Sequence, residues 1–204
     1  MGDNRGRHAT AVLYGHWSGF IPRGYHWHYR EGASVGVIET NAGRHCVFIA
    51  VPPARYKAEL AQGLQGVFRW VLRQVSSTLA DELEGASLES RIWPFAGRRG
   101  FIRQAGGPGW ALVGDGGYFK DPLTAHGITD ALRDAELLAD AAAEGTEAAL
   151  ARYGEIRDAL SIPLFDVTDT IASFEWDLPT LQAQHHVLNE ALKAEAARAL
   201  EVVS

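Results

Sequence analysis

Trp110-Ala111-Leu112-Val113-Gly114-Asp115-Gly116-Gly117-Tyr118-Phe119-Lys120-Asp121-Pro122-Leu123-Thr124-Ala125-His126-Gly127-Ile128-Thr129-Asp130-Ala131-Leu132-Arg133-Asp134-Ala135 changes character twice along its length. Residues 110–113 are apolar and bounded by glycine on both sides, which reads as a short buried strand. Gly-Asp ends that strand, a short loop passes through Pro122, and a helix begins near Thr124 to Gly127. Ligands of strand-to-helix units collect at the carboxyl ends of strands, beside helix N-termini. Asp115 stands at that edge, where a carboxylate can accept hydrogen bonds from a ligand hydroxyl. Gly114, Gly116 and Gly117 let the backbone come close to a bulky ligand. The first helical turn offers unpaired N–H groups and a positive dipole end, suited to developing negative charge.

Upstream, residues 9–53 are rich in aromatics, β-branched residues and glycine, in short runs broken by turn signals. The spacing predicts strands over 11–20, 25–30, 34–40 and 45–51, with Asn41-Ala42-Gly43 as a hairpin connection. From 56 to 83 the pattern is helical, with Leu60, Leu64, Val67, Val71 and Leu72 on one face. Arg91-Ile92-Trp93-Pro94 reads as one more strand, ended by its proline, and Gly106-Gly107-Pro108-Gly109 as a loop. Downstream the chain is mostly helix, over 131–143, 146–160, 162–174 and 178–203, with Gly145 suited to a C-cap and Thr146 to the next N-terminus. The fold class is therefore α+β: an antiparallel sheet first, then a strand-loop-helix segment, then a helical tail. The corresponding divisions are 1–105, 106–160 and 161–204.

The composition narrows the function classes. Nineteen Lys and Arg against 25 Asp and Glu leave a formal charge of −6, which argues against binding nucleic acid. Cys46 is the single cysteine, so no intrachain disulfide can form and a reducing cytosol is expected. The first residues carry no signal core, and no apolar run approaches the roughly 20 residues a membrane span needs. A cytoplasmic location follows as the expectation. No Ser-His-Asp ordering, nucleophile elbow, Walker loop or Cys-x-x-Cys pair supports a hydrolase or kinase reading.

The 106–135 segment resembles the second FAD signature of the p-hydroxybenzoate-hydroxylase-like flavoprotein superfamily, which includes aromatic monooxygenases, flavin-dependent halogenases and geranylgeranyl-reductase-like enzymes. That pattern is Gly-Asp-Ala-Ala-His, three residues on to a Pro, then Gly-x-Gly-x-Asn and a closing Asp-Ala. Gly114, Asp115, Pro122, Gly127, Asp134 and Ala135 fall on it in register. Gly116, Gly117 and Tyr118 replace Ala-Ala-His, Ala125 replaces the first glycine of the pair, and Thr129 stands where Asn is usual. The resemblance implies that Asp115 holds the ribityl chain of FAD and that Pro122 to Ile128 line the isoalloxazine. It further implies that the amides near Gly127 and Ile128 stabilise anionic reduced flavin. The preceding sheet would be the floor of a substrate pocket. The implied activity is FAD-dependent hydroxylation, halogenation or reduction of a hydrophobic small molecule, with NAD(P)H or a reductase as electron source.

Members of that superfamily begin with a Rossmann-like strand, Gly-x-Gly-x-x-Gly and helix that hold the FAD pyrophosphate. No such run occurs among these residues, and Gly106-Gly107-Pro108-Gly109 precedes a strand instead of following one. The expectation is a truncated product, a fragment or one half of a split enzyme, whose N-terminal half another chain supplies. Strand 110–113 would then lack parallel neighbours and expose Trp110, Leu112 and Val113. The alternative is a non-catalytic small-molecule-binding or interaction module derived from such an enzyme, associating through its 178–203 helix.

Tyr25, Trp27 and Tyr29 alternate with His26, His28 and Arg30, giving one aromatic and one polar strand face. That aromatic face, with Trp17 nearby, is either a substrate-pocket wall or half-buried sheet packing. His16, His26, His28, His45 and Cys46 show no third ligand at a persuasive spacing, so no metal is expected. His126, at the helix start, is a candidate proton donor or simply part of the pocket lining. Lys120 and Asp121 read as a pocket rim or an exposed ion pair, and His185-His186 as helix surface.

Overall fold

The computed structural model describes residues 4–20 and 24–203. Its strands in chain order are β1 (Asn4–Arg5), β2 (Ala11–Ser18), β3 (His26–Arg30), β4 (Ala33–Glu39) and β5 (His45–Val51). Helices α1 (Pro53–Glu59), α2 (Gly63–Val75) and α3 (Ser77–Glu84) follow. Then come β6 (Ser87–Leu88), β7 (Trp93–Phe95), β8 (Phe101–Ile102), β9 (Gly106–Gly107), β10 (Trp110–Ala111) and β11 (Tyr118–Phe119). Helices α4 (Gly127–Glu144), α5 (Glu147–Ile171) and α6 (Leu178–Val203) complete the chain. No described helix is long and apolar enough to cross a membrane.

The chain forms two compact units. The sheet unit takes Thr10–Arg98 with Phe174–Leu178; the helical unit takes the residues up to Ala9, Arg99–Ser173 and those from Pro179 on. The contiguous divisions 1–105, 106–160 and 161–204 do not describe these units, because long-range pairing recruits β1 to β8. The α+β class stands, with antiparallel sheets and several helices.

In the sheet unit the strands run in the order β3-β4-β5-β2-β6, with β7 also paired to β2, and every pairing is antiparallel. The period-two alternation points Ala11, Leu13 and Trp17 of β2, Val35 and Val37 of β4, and Val47, Ile49 and Val51 of β5 to one buried face. That face packs on Val67, Phe68, Val71 and Leu72, which recur at helical spacing along α2. Each fully buried valine or isoleucine here stabilises by roughly 1.5–3 kcal/mol. Asn41-Ala42-Gly43 makes the expected turn, with Thr40 N–H donating to Arg44 O at 2.9 Å.

Several local expectations change. The 56–83 helix is three helices, broken by a 3₁₀ turn at Leu60–Gln62 and at Ser76, whose hydroxyl accepts from Leu79 N–H to cap α3. Pro94 does not end its strand; it sits inside β7 opposite Leu13, and β7 is an edge segment where a missing N–H is tolerated. The two helices expected over 146–174 are one, with Pro163 inside it.

The helical unit holds the three-stranded sheet β1-β8-β11 and the hairpin β9-β10. Strand 110–113 is therefore not a buried strand awaiting parallel neighbours. Trp110 and Ala111 pair antiparallel with Gly107 and Gly106, Pro108-Gly109 makes the turn, and Trp110 and Val113 remain exposed. Gly145 closes α4 with φ 70°, and the Thr146 hydroxyl accepts from Ala149 N–H at 3.1 Å to start α5.

Candidate functional site

In the helical unit, the Gly-Asp segment forms a 3₁₀ turn at Gly114–Gly116 against α4. Gly114 has φ 52°, and a Cβ placed there would lie 2.9 Å from Ala131 Cβ. Only glycine allows both the backbone angle and the close approach. The fully buried Asp134 carboxylate accepts from Gly114 N–H at 3.3 Å, Tyr153 OH donates to Leu112 O at 2.5 Å, and the buried Arg157 donates to Arg103 O at 2.5 Å. The turn is thus held from α4 and α5, while the exposed Asp115 side chain makes no hydrogen bond among the described residues.

The next turn, Pro122–Thr124, is capped by Asp121, whose carboxylate accepts from Leu123 N–H at 3.0 Å. Ala125 closes it in the left-handed region, φ 52° and ψ 36°, a conformation that costs a non-glycine residue about 1–2 kcal/mol. This is the position where the resemblance calls for glycine. α4 starts at Gly127 without a side-chain cap, leaving first-turn N–H groups for another acceptor. Asp115 Oδ1 lies 3.8 Å from where a Gly127 Cβ would stand. A cleft of about 770 Å³ is lined by Gly114, Asp115, Pro122, Ala125, Gly127 and Ile128, with His126 and Lys120 also on its walls. The structure thus brings together every cofactor-contact residue named from the sequence.

Beneath the cleft runs a buried charge network. Lys120 pairs with Asp130, and Arg133 reaches Asp130 at 3.3 Å, Asp134 at 2.7 Å and Glu195 at 2.5 Å. His126 Nε2 donates to Glu195 at 2.5 Å. Lys120 and Asp121 are therefore buried, not an exposed loop pair. Burial, with Arg133 beside it, pulls the Lys120 ammonium down to about 7, against the opposing carboxylates. His126, Asp130 and Glu195 place ligand atoms within 4.8 Å of one another, a spacing a metal could use. Lys120 and Arg133 already neutralise those carboxylates, so the cluster reads as an ion-pair network. Asp130, Arg133 and Glu195 were not singled out in the sequence; Glu195 lies in α6, remote from the motif, and carries no local signal.

In the sheet unit, the face away from α2 carries the cross-strand row Trp27, Gly36, Phe48, Tyr14 and Trp93. A Cβ on Gly36 would fall 2.2 Å from Phe48 Cζ, so the Phe48 ring lies directly over that glycine. Trp27 meets Phe48 edge-on at 6.0 Å, and Tyr29 meets Trp176 edge-on at 6.3 Å. Burial pushes the Tyr29 hydroxyl up to about 12, so it stays protonated. Trp17 is not on this face. It is buried on the helix side, stacked on Phe68 at 4.9 Å. Tyr25 lies in the bend before β3 and is 66% exposed. His26 and His28 take the opposite face of β3, their rings stacked at 6.1 Å. Of the α6 pair, His185 is half-buried and His186 exposed, so only one is surface.

No protein-family model matches the sequence, and no curated protein does either. Solved structures do. A triple mutant of the flavin-dependent brominase Bmp2 superposes with a TM-score of 0.75 at 15% identity, over 93% of this chain and 52% of that one. HpxO of Klebsiella pneumoniae, complexed with FAD and uric acid, gives 0.61 at 17% identity over 93% and 51%. PqsL of Pseudomonas aeruginosa, a probable FAD-dependent monooxygenase, gives 0.60 at 16% identity over 95% and 54%. The fold is that of part of the flavin-dependent halogenases and FAD monooxygenases. At these identities the likeness establishes the halogenase–monooxygenase fold, and the chain spans about half the length of these neighbours.

The residues present fit the flavin that this fold implies. Asp115 offers an unengaged acceptor, the adjacent helix start offers uncapped N–H donors, and a predominantly apolar cleft joins them.

Proposed function

We propose that this chain supplies the flavin-contacting and substrate-facing portion of an FAD-dependent oxidoreductase acting on a hydrophobic small molecule. The observation that carries the reading is the cleft uniting Asp115 with the uncapped start of α4. When bound, FAD supplies the redox chemistry. Asp115 would accept hydrogen bonds from its ribityl hydroxyls, and Gly114, Pro122 and Ala125 would shape the wall against its ring. The N–H groups of Gly127 and Ile128 would oppose negative charge on the ring, aided by the helix dipole. His126 lines the same cleft with Nε2 committed to Glu195, so any proton it moves is governed by that pair.

Ile128 is 81% and Leu132 69% exposed on the cleft-side face of α4, with Trp110 and Val113 also open. These apolar side chains suit cover by a dinucleotide-binding unit outside the described residues, supplied by another chain or segment. In the sheet unit, the face bearing Trp27 and Tyr29 is the proposed surface for an apolar or aromatic substrate; Trp17, on the other face, leaves that set. Electrons would come from NAD(P)H or a reductase. A second reading, a non-catalytic binding module of the same descent, keeps the aromatic face without redox chemistry.

An absorbance spectrum of the purified chain, with FAD added and excess removed, tests the proposal. Retained flavin absorbance that Asp115→Ala abolishes supports it. A protein that takes up no flavin, alone or mixed with a dinucleotide-binding half, removes the enzymatic reading and leaves the binding module.

A further inference from the structure

The helix side of the sheet unit contains a cavity that the flavin reading does not use. It measures about 330 Å³ and opens between β2, α2, α3 and the segment leading into β7. Trp17, Phe68, Leu72, Leu83 and Ile92 wall it, and each of these side chains is itself buried. Protein interiors pack like organic crystals, with few voids larger than a water molecule. A hollow with an apolar floor and a polar mouth suits a ligand that has an apolar body and a polar end. Its volume falls at the lower end of small-molecule sites, with apolar walls and four polar side chains, Gln65, Arg69, Arg73 and Glu84.

Two features narrow the occupant. Trp17 and Phe68 stack at 4.9 Å with 21° between their planes, presenting a flat wall to a ring or chain. The polar lining is Gln65, Arg69 and Arg73 on α2 and Glu84 on α3, whose carboxylate is held by Arg73. Arg73 is engaged by Asp81 at 2.8 Å and Glu84 at 2.5 Å, whereas Arg69 makes no ion pair among the described residues. A guanidinium left at the rim of an apolar pocket matches a carboxylate in charge and in planar geometry.

We propose that this cavity binds a small aromatic or aliphatic carboxylate, its apolar body against Trp17 and Phe68 and its carboxylate at Arg69. The site lies wholly within the sheet unit, apart from the residues proposed to contact flavin.

The test is titration of the full chain, isotope-labelled and followed by NMR, with 4-phenylbutyrate and octanoate, and 4-phenylbutanol as the uncharged control. The expected result is saturable shifts of the Trp17 indole and Leu83 methyl signals by both acids. Arg69→Ala weakens the acids about tenfold and the alcohol little. Leu83→Trp fills the cavity and abolishes binding of all three. Should that variant misfold, the exposed Arg69→Ala variant decides alone. Absence of saturable binding at millimolar probe overturns the proposal. So does equal binding of acid and alcohol that Arg69→Ala leaves unchanged, or shifts confined to Trp27 on the opposite face.

Discussion

His126, the residue preceding α4, donates through Nε2 to the Glu195 carboxylate at 2.5 Å, so the C-terminal helix holds the residue at the mouth of the proposed flavin cleft. Arg133 donates to the other oxygen of the same carboxylate at 2.5 Å.

Glu195→Ala therefore takes the acceptor from His126 Nε2, which is partly buried, and removes one of the several partners of Arg133. The expected loss is about 1–3 kcal/mol in urea unfolding, with Glu195→Gln recovering part. Burial acts to raise the Glu195 carboxyl, but His126 and Arg133 outweigh it and hold it below the ordinary glutamate value. A depressed carboxylate stabilises fully above its unfolded value, about pH 4.3, and that contribution is lost as pH falls through the lower folded value. Melting temperature should fall as pH drops below about 4.3 more steeply in the parent than in Glu195→Gln. Parallel acid profiles would refute the linkage.

Ala125 and Gly114 share a left-handed backbone but carry opposite residue types. Ala125→Gly should stabilise by up to about 1 kcal/mol, since it relieves a strained residue against a small gain in unfolded-chain entropy. Gly114→Ala should destabilise by more than 1 kcal/mol, because its new Cβ also meets Ala131 at 2.9 Å. Chemical denaturation of the pair checks both signs.

Gly36 lies under the Phe48 ring, with 2.2 Å available to a Cβ. Gly36→Ala forces the ring off its seat and should cost about 1–3 kcal/mol as overpacking. The Trp27–Phe48 edge contact goes with it, so the near-ultraviolet circular dichroism should change while the far-ultraviolet signal persists. An unchanged near-ultraviolet spectrum would count against this packing.

Lys120 and Asp130 are both almost fully buried and paired. Lys120→Met leaves Asp130 with Arg133 as its remaining cation and should destabilise by about 1–3 kcal/mol. The double variant Lys120→Met with Asp130→Leu should recover much of that loss. A double variant whose loss is simply the sum of the two single-variant losses would show that the pair is not coupled.

The elements most legible in the sequence were those set by neighbours along the chain. Alternation placed β2, β4 and β5, and Asn41-Ala42-Gly43 placed their hairpin. Gly145 and Thr146 marked a helix boundary, and the Gly-Asp-to-Pro spacing marked the cleft. Trp17 was legible as a strand residue but not as a member of a face. Whether it joins Trp27 depends on the register Trp27–Gly36–Phe48–Tyr14 across four strands, which no single strand encodes.

By itself, then, the sequence determined the local turns, the strand and helix periodicities and the residues that meet in the cleft. Each depends on backbone angles or side-chain order within a few positions. Only the tertiary structure decided that Trp17 faces the helices, that Lys120 is buried on Asp130, and that Glu195 holds His126 from α6. These arise from pairing and packing between residues far apart in the chain. The free energy of such contacts depends on burial and geometry that exist only once the chain has folded.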